Sequence, residues 1–350
     1  MFYVSFFMQD TVSTSSKSSQ WIKLMLASAI AVVFLWLAFK GVDFADIVDN
    51  TQDIEVVPIL LVCISVLAGT FLRSYRWTLL LKPLRADSDN AIAQFSAFYA
   101  VLMGYAVNIV LPRGGEVVRL FSICKTEQLP WAGVLATMFI DRMLDVAILA
   151  ILLGLTLFFL PSEMLTTQPG LVTGGMTLIV VAAAGLCLLP HIGSITEKGL
   201  QLAVVKRYLP TSLGTKLSEL ADQFNQGSGA LRNFARFPII ALLSMMIWFT
   251  YWLNFYLMVL AFGLQDKITA IKCLIIFTIG SVGSLIPTPG SIGSIHYLVK
   301  MAAIETAQLS AEQALTFATI SHLFIFIIFP SMIAAVVFLY KWLIQTTVRT

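Results

Sequence analysis

The chain has 350 residues, 58% of them hydrophobic and 12% charged, with 22 Lys and Arg against 19 Asp and Glu and a mean hydropathy of +0.88. An ordinary soluble domain is about 25% charged, so half the charge expected of a soluble surface is missing. This excludes a soluble enzyme, a disordered protein and a nucleic-acid-binding module, and leaves a multi-spanning membrane protein. The net charge of +3 carries less information than the placement of the charges.

In chain order, Met1 to Met8 is apolar but too short for a signal-peptide core. It lacks a basic flank, and a polar run to Gln20 follows. Residues 1–20 therefore read as a disordered tail without a signal peptide, Met8 being an alternative start. Apolar stretches able to cross a ~30 Å hydrocarbon core fall at about 21–39, 56–80, 91–111, 131–160, 171–189, 238–262, 270–286 and 313–340. Two of them run into helix breakers. The first meets Pro112-Arg113-Gly114-Gly115-Glu116 and the second Pro287-Thr288-Pro289-Gly290-Ser291-Ile292-Gly293. Cys63, Cys124, Cys187 and Cys273 are scattered, without a CxxC pair or a His at ligand spacing. They read as small apolar packing residues, and neither metal nor cofactor is expected.

Lys and Arg set the orientation. Residues 73–90 (Arg73, Arg76, Lys82, Arg85) and 190–237 (Lys198, Lys206, Arg207, Lys216, Arg232, Arg236) are basic, as are the two termini. All are placed in the cytoplasm of a cell whose inner membrane holds the chain. The acidic loop Lys40–Glu55 faces out. Both basic segments lie inside only if an even number of crossings separates them, and spans 131–160 and 171–189 already supply two. Region 91–130 must then enter and leave from the cytoplasm and, by the same count, 270–308 from the outside. Each is either two tight crossings or a re-entrant pair meeting at its Pro/Gly break, buried in protein or lining a wet cavity. The fold expected is an all-α polytopic membrane protein with about six full transmembrane helices and two opposed re-entrant hairpins, an inverted repeat. One domain, 21–341, comprises a first half (21–189), an amphipathic cytoplasmic segment (190–237) lying along the anionic leaflet and a second half (238–341). Residues 342–350 form a cytoplasmic tail.

Charges at membrane depth are costly and mark function or pairing. Arg113, Glu116 and Arg119 lie in the first hairpin, and Asp141, Arg142 and Asp145 in span 131–160. Helical spacing allows local Glu116–Arg119 and Arg142–Asp145 pairs. Three guanidiniums near a helix starting at Gly114 also suit a lipid phosphate, through bidentate contacts and the helix's free N–H groups. In the second hairpin Thr288, Ser291 and Ser294 are either caps or headgroup ligands. His296 and His322 are either packing residues or a proton-sensitive pair at positions matching Glu116 and Arg142. Arg73 and Arg76, beside Tyr75 and Trp77, read as an interfacial anchor. The chain has no P-loop, HExxH or GxSxG pattern.

The motifs LPRGGEVVRL and ATMFIDRMLD, with Arg76-Trp77 before them, resemble the lysylphosphatidylglycerol synthase transmembrane family, also called the flippase-like domain family. The resemblance covers roughly 20–341. It implies that Arg113, Glu116, Arg119, Asp141, Arg142 and Asp145 line a central cavity for a phospholipid or lipid-linked headgroup. Ser291, His296 and His322 stand where the family pattern has Gly, Glu and Arg. The soluble aminoacyl-transferase domain of larger members does not follow, so lysyl transfer is not implied. The function expected is translocation of an anionic phospholipid or lipid-linked (polyprenyl-type) intermediate between leaflets, by a protein that is not an enzyme. In that expectation Arg113, Arg119 and Arg142 hold the phosphate, while Glu116, Asp141 and Asp145 orient them, and Ser291, His296 and His322 belong to the same substrate site. Alternatives are a membrane-embedded transferase acting on a lipid headgroup, or an accessory subunit of a partner synthase. Nucleic acid is not a partner, whereas a synthase or a second copy is a possible one.

Overall fold

The structure, a computed structural model, describes residues 25, 32–33, 35–37, 54–85, 92–111, 113–157, 159, 169–188, 191–201, 211–229, 234–286 and 288–347. The expected tail 1–20 and most of the expected span 21–39 lie outside them. Among the described residues the chain is helical, without a strand. The helices are α1 (Val56–Leu81), α2 (Gln94–Val110), α3 (Gly114–Glu127), α4 (Trp131–Leu157), α5 (Pro169–Leu188), α6 (Ile192–Gln201), α7 (Thr211–Ser228), α8 (Phe237–Ala261), α9 (Ala270–Gly283), α10 (Ser294–Ala307), α11 (Ala311–His322) and α12 (Phe329–Thr347). Among the described residues three helical segments are long and apolar enough to cross a membrane: Val56–Arg85, Phe237–Ala261 and Ala311–Lys341. The last includes a π-helical stretch, Leu323–Ile328, directly after His322. A π turn there precedes Pro330, which has no N–H to continue an α ladder. With 27 residues, α4 is as long as a span, but Asp141, Arg142 and Asp145 interrupt its apolar run.

Lipid tails are as apolar as leucine, so membrane helices associate through close packing at small residues. Four such seams recur here. A Cβ on Gly69 of α1 would stand 2.5 Å from Thr250 Oγ1 of α8, and one on Gly115 of α3 would stand 1.9 Å from the Gly104 carbonyl of α2. One on Gly227 of α7 would stand 2.2 Å from the Gly133 carbonyl of α4, and one on Gly283 of α9 would stand 2.9 Å from the Ile295 nitrogen of α10. The Gly227–Gly133 seam holds α7 against α4, so this part of the segment expected to lie along the leaflet is docked on protein.

The central pair is α1 against α8, and it is antiparallel. Glu55 N–H donates to the Ala261 carbonyl (2.8 Å), Ser65 Oγ to the Thr250 carbonyl (3.4 Å) and Arg76 Nη1 to Ser244 Oγ (2.9 Å). Around this pair the chain repeats its own spacing. Gly114 to Ser294, Glu127 to Ala307 and Trp131 to Ala311 are each steps of 180 residues, so α3 and α10 share both length and position. Gln128 and Gln308, the same step apart, both end their helices in the left-handed region, at φ 54° and 53°.

Two helix pairs, α2–α3 and α9–α10, are made of helices of 14 to 17 residues. At 1.5 Å per residue each helix is about 21–26 Å long, shorter than the ~30 Å core. The end of α3 is tied to the segment after α1 by Arg85 and Glu127, whose side chains approach to 3.1 Å. The start of α9 is tied to that of α11, just beyond α10, by Lys267 Nζ donating to Gln313 Oε1 (3.4 Å). The two tips meet. Arg113 Nη2 reaches the Leu285 carbonyl at 3.5 Å, and Gly290 lies against the Ile109 carbonyl.

Candidate functional site

The densest charge cluster lies where α1, α3 and α4 cross. Asp141, fully buried, accepts from three arginines on two other helices. Arg76 Nη2 donates at 2.7 Å and Nε at 3.1 Å to Oδ1, while Arg73 Nη2 (3.3 Å) and Arg119 Nη1 (3.1 Å) reach Oδ2. One turn along α4, Asp145 accepts from Arg73 Nη2 (2.5 Å) and Arg76 Nη2 (2.7 Å). Arg76 also donates to Ser244, and Arg73 Nη1 donates to the Tyr251 hydroxyl (3.0 Å). Three guanidiniums thus share two carboxylates. The excess positive charge sits at Arg119, whose side chain is 6% exposed and whose Nε and Nη2 have no hydrogen-bond partner. Its guanidinium carbon lies 3.8 Å over the Trp77 ring, and Trp77 is itself held by an Nε1–H bond to Thr137 Oγ1 (3.1 Å).

Arg119 lines a recess with Gly104, Asn108, Gly115, Glu116 and Arg142. It has room for about one water molecule. At its edge Arg142 donates to Glu116 Oε1 through Nη2 (2.7 Å) and Nε (2.9 Å), with the two side chains 43% and 39% exposed. The contrast is energetic. A half-exposed pair is worth about 1 kcal/mol or less, whereas removing one partner from a buried network costs about 3–5 kcal/mol. The Asp141 cluster is therefore a fixed frame, and Glu116–Arg142 is the part that opens cheaply.

Five expectations are corrected by these contacts. Arg73 and Arg76 are not interfacial anchors, because they are buried and bind Asp141 and Asp145. The local Glu116–Arg119 and Arg142–Asp145 pairs are replaced by Arg142–Glu116 and Arg119–Asp141, since side chains from neighbouring helices reach them with better geometry. Arg113 does not converge with Arg119 and Arg142. It caps α3 in the left-handed region (φ 59°), is exposed and points to the other hairpin. The first N–H groups of α3 are not free for an anion either. Gly114 bonds the Leu111 carbonyl, Glu116 the Arg113 carbonyl, and Gly115 N–H the Asn108 Oδ1 (2.8 Å). Finally, Ser294 is no headgroup ligand, because its buried Oγ donates to the Gly283 carbonyl (2.8 Å) and ties the two arms of its hairpin.

The second cluster lies at the other tip. His296 and His322 face each other with ring centroids 4.7 Å apart, separated by the same 26 residues as Glu116 and Arg142. His322 Nε2 bonds the Gly290 carbonyl (2.9 Å), and its ring stacks on Phe326. His296 Nδ1 accepts from Gly293 N–H (3.3 Å), capping α10. Ser291, like Gly290 and Gly293, has a positive φ (57°), the conformation that favours glycine. Arg73 and Arg76 were the site residues that the reading of the sequence missed. Their three-residue spacing on an apolar helix, facing Asp141 and Asp145 at four-residue spacing, was the available signal.

A model of the lysylphosphatidylglycerol synthase TM region matches residues 24–334. Comparisons with curated proteins and with solved structures returned no match. The match takes in both hairpins, the Asp141 cluster and the histidine pair, and by it this multi-pass membrane protein belongs to the lysylphosphatidylglycerol synthase TM-region family.

Proposed function

We propose that the protein translocates an anionic phospholipid or lipid-linked intermediate between the leaflets of the inner membrane, as a transporter and not as an enzyme. In this reading α2–α3 and α9–α10 are opposed re-entrant hairpins of an inverted repeat with cytoplasmic termini. The 180-residue step, the antiparallel α1–α8 pair and the sub-span helix lengths support it. Broken segments meeting near the middle of such a repeat are where transporters hold their substrates.

The observation that carries the proposal is Arg119, a nine-tenths buried guanidinium with two unpartnered nitrogens beside a recess. An unmade hydrogen bond in a dry site is expensive, and a phosphate oxygen supplies the missing acceptors bidentately. The recess admits a phosphate only after Glu116 and Arg142 part, which turns Arg142 toward the same oxygen cluster. Asp141 holds Arg119 directly, and Arg73 and Arg76 fix Asp141 and Asp145 in turn.

The test uses the full chain in phosphatidylcholine vesicles with some phosphatidylglycerol and a tail-labelled fluorescent phosphatidylglycerol, read by bleaching of the outer leaflet. Arg142→Ala should reduce leaflet exchange about tenfold or more, the loss of one charge-assisted contact. Unchanged exchange in a folded Arg142→Ala protein overturns the assignment.

A further inference from the structure

We propose that His296 and His322 form a proton-binding site that releases the tip of the second hairpin, the counterpart of the Glu116–Arg142 latch in the first. The inference rests on the translocation reading above and adds to it what drives the second half.

The atoms define the protonation states. A carbonyl only accepts, so His322 Nε2 carries a hydrogen toward Gly290. A backbone N–H only donates, so His296 Nδ1 is bare toward Gly293. The bare Nδ1 makes the His296 imidazole neutral in the closed arrangement, whereas the Nε2–H of His322 keeps its bond to Gly290 in either protonation state. A proton added to His296 Nδ1 sets N–H against N–H and removes the acceptor that caps α10. A second proton on His322 places two cations in rings 4.7 Å apart, a like-charge contact in surroundings where His296 and His322 are 5% and 2% exposed. The first event removes a bond that holds the Gly290–Gly293 turn and the second drives the two rings apart, in a turn already held at positive φ in three of its four residues.

Other charges do not compensate. On α10, Lys300 interacts with Glu312 of α11, and Glu305 lies about two and a half turns from His296. On α9, Lys272 donates to the Lys267 carbonyl at the far end of the helix. Arg113 engages the Leu285 carbonyl. The described part of α2 carries only Tyr99 and Tyr105 as titratable groups, and the ring that faces His296 is that of His322. The two latches are also complementary in exposure. Glu116–Arg142 is half exposed while the histidine pair is buried, as expected if the halves of an inverted repeat open in turn.

Two readouts on the full chain test the inference. In the vesicles described above, exchange should rise about tenfold from pH 8 to pH 5, the range in which an imidazole released into water takes up a proton and so favours the open tip. His296→Gln keeps an acceptor for the Gly293 N–H, as glutamine does at the third position of a capping box, but does not titrate. Its exchange should be slow and flat with pH. Independently of lipid, spin labels on cysteines at Leu111 and Ser291, with the native cysteines replaced, report the separation of the tips. That distance should lengthen at pH 5 in the native-histidine protein and stay short in His296→Gln. A pH-dependent distance without lipid exchange refutes translocation and leaves the proton site standing. A pH-independent distance, or His296→Gln retaining the native pH response, overturns the proton site.

Discussion

Arg119 holds its guanidinium 3.8 Å above the Trp77 ring while one of its nitrogens donates to Asp141. A planar cation fits between a ring face and a carboxylate, and its remaining donors, Nε and Nη2, have no partner. Lysine has the charge but neither the plane nor the fork. Arg119→Lys should therefore keep the fold yet lower leaflet exchange about tenfold or more. Native exchange in this variant would show that Arg119 serves as a charge alone.

Asp141 is the opposite kind of residue, since it ends three guanidiniums from two helices and faces no water. Asp141→Asn leaves Arg73 and Arg76 sharing Asp145 and Arg119 without a carboxylate, and should cost about 3–5 kcal/mol. Thermal unfolding in detergent, followed by tryptophan fluorescence, measures it. Adding Arg119→Met to Asp141→Asn removes one uncompensated cation and should recover part of the loss, because contacting groups are not additive. A double variant no more stable than Asp141→Asn would place the energy elsewhere.

These buried arginines also show what was legible in the sequence. Apolar run lengths and Pro/Gly breaks disclosed the helical class and the two broken regions, because bilayer thickness and backbone hydrogen bonding leave few options. His296 and His322 were legible as a pair because matched positions in the two halves put them there. Arg73 and Arg76 were not, because a basic residue near a basic loop looks the same whether it points to headgroups or into a bundle. The partner choices of Glu116 and Arg142 were misjudged for a related reason. Spacing along one helix shows which groups are able to meet, while cross-helix geometry decides which do.

The α2–α3 seam should be intolerant of a single methyl group. A Cβ on Gly115 would sit 1.9 Å from the Gly104 carbonyl, a backbone atom that no rotamer change can move. Gly115→Ala should destabilise by about 3 kcal/mol, the upper range for overpacking, and abolish exchange. Gly154 of α4 has nothing within 4 Å of its own Cβ position. Gly154→Ala should be neutral or gain up to about 1 kcal/mol from helix propensity. Equal melting temperatures for the two variants would refute the seam.

In the proposed translocation Glu116 is an internal stand-in for the lipid phosphate, its carboxylate occupying Arg142 at 2.7 Å. With both side chains about 40% exposed, solvent and salt weaken the pair, and opening it costs about 1 kcal/mol or less. Removing the competitor leaves Arg142 with no anion but the substrate. Glu116→Gln should consequently bind a short-chain phosphatidylglycerol more tightly, by a factor of about five for 1 kcal/mol. Its exchange should also depend more on ionic strength than that of the native protein, because salt no longer weakens a competing ion pair while it still screens the headgroup. Titration calorimetry in detergent at low and physiological salt gives the affinity, and the vesicle assay gives the salt dependence. The charge-swapped protein, Glu116→Arg with Arg142→Glu, keeps the latch but moves its cation from α4 to α3. If cation position matters, it should fold like the native protein and exchange slowly. An affinity unchanged in Glu116→Gln would mean that the carboxylate never competes with the headgroup, and that the latch lies outside the path of the lipid.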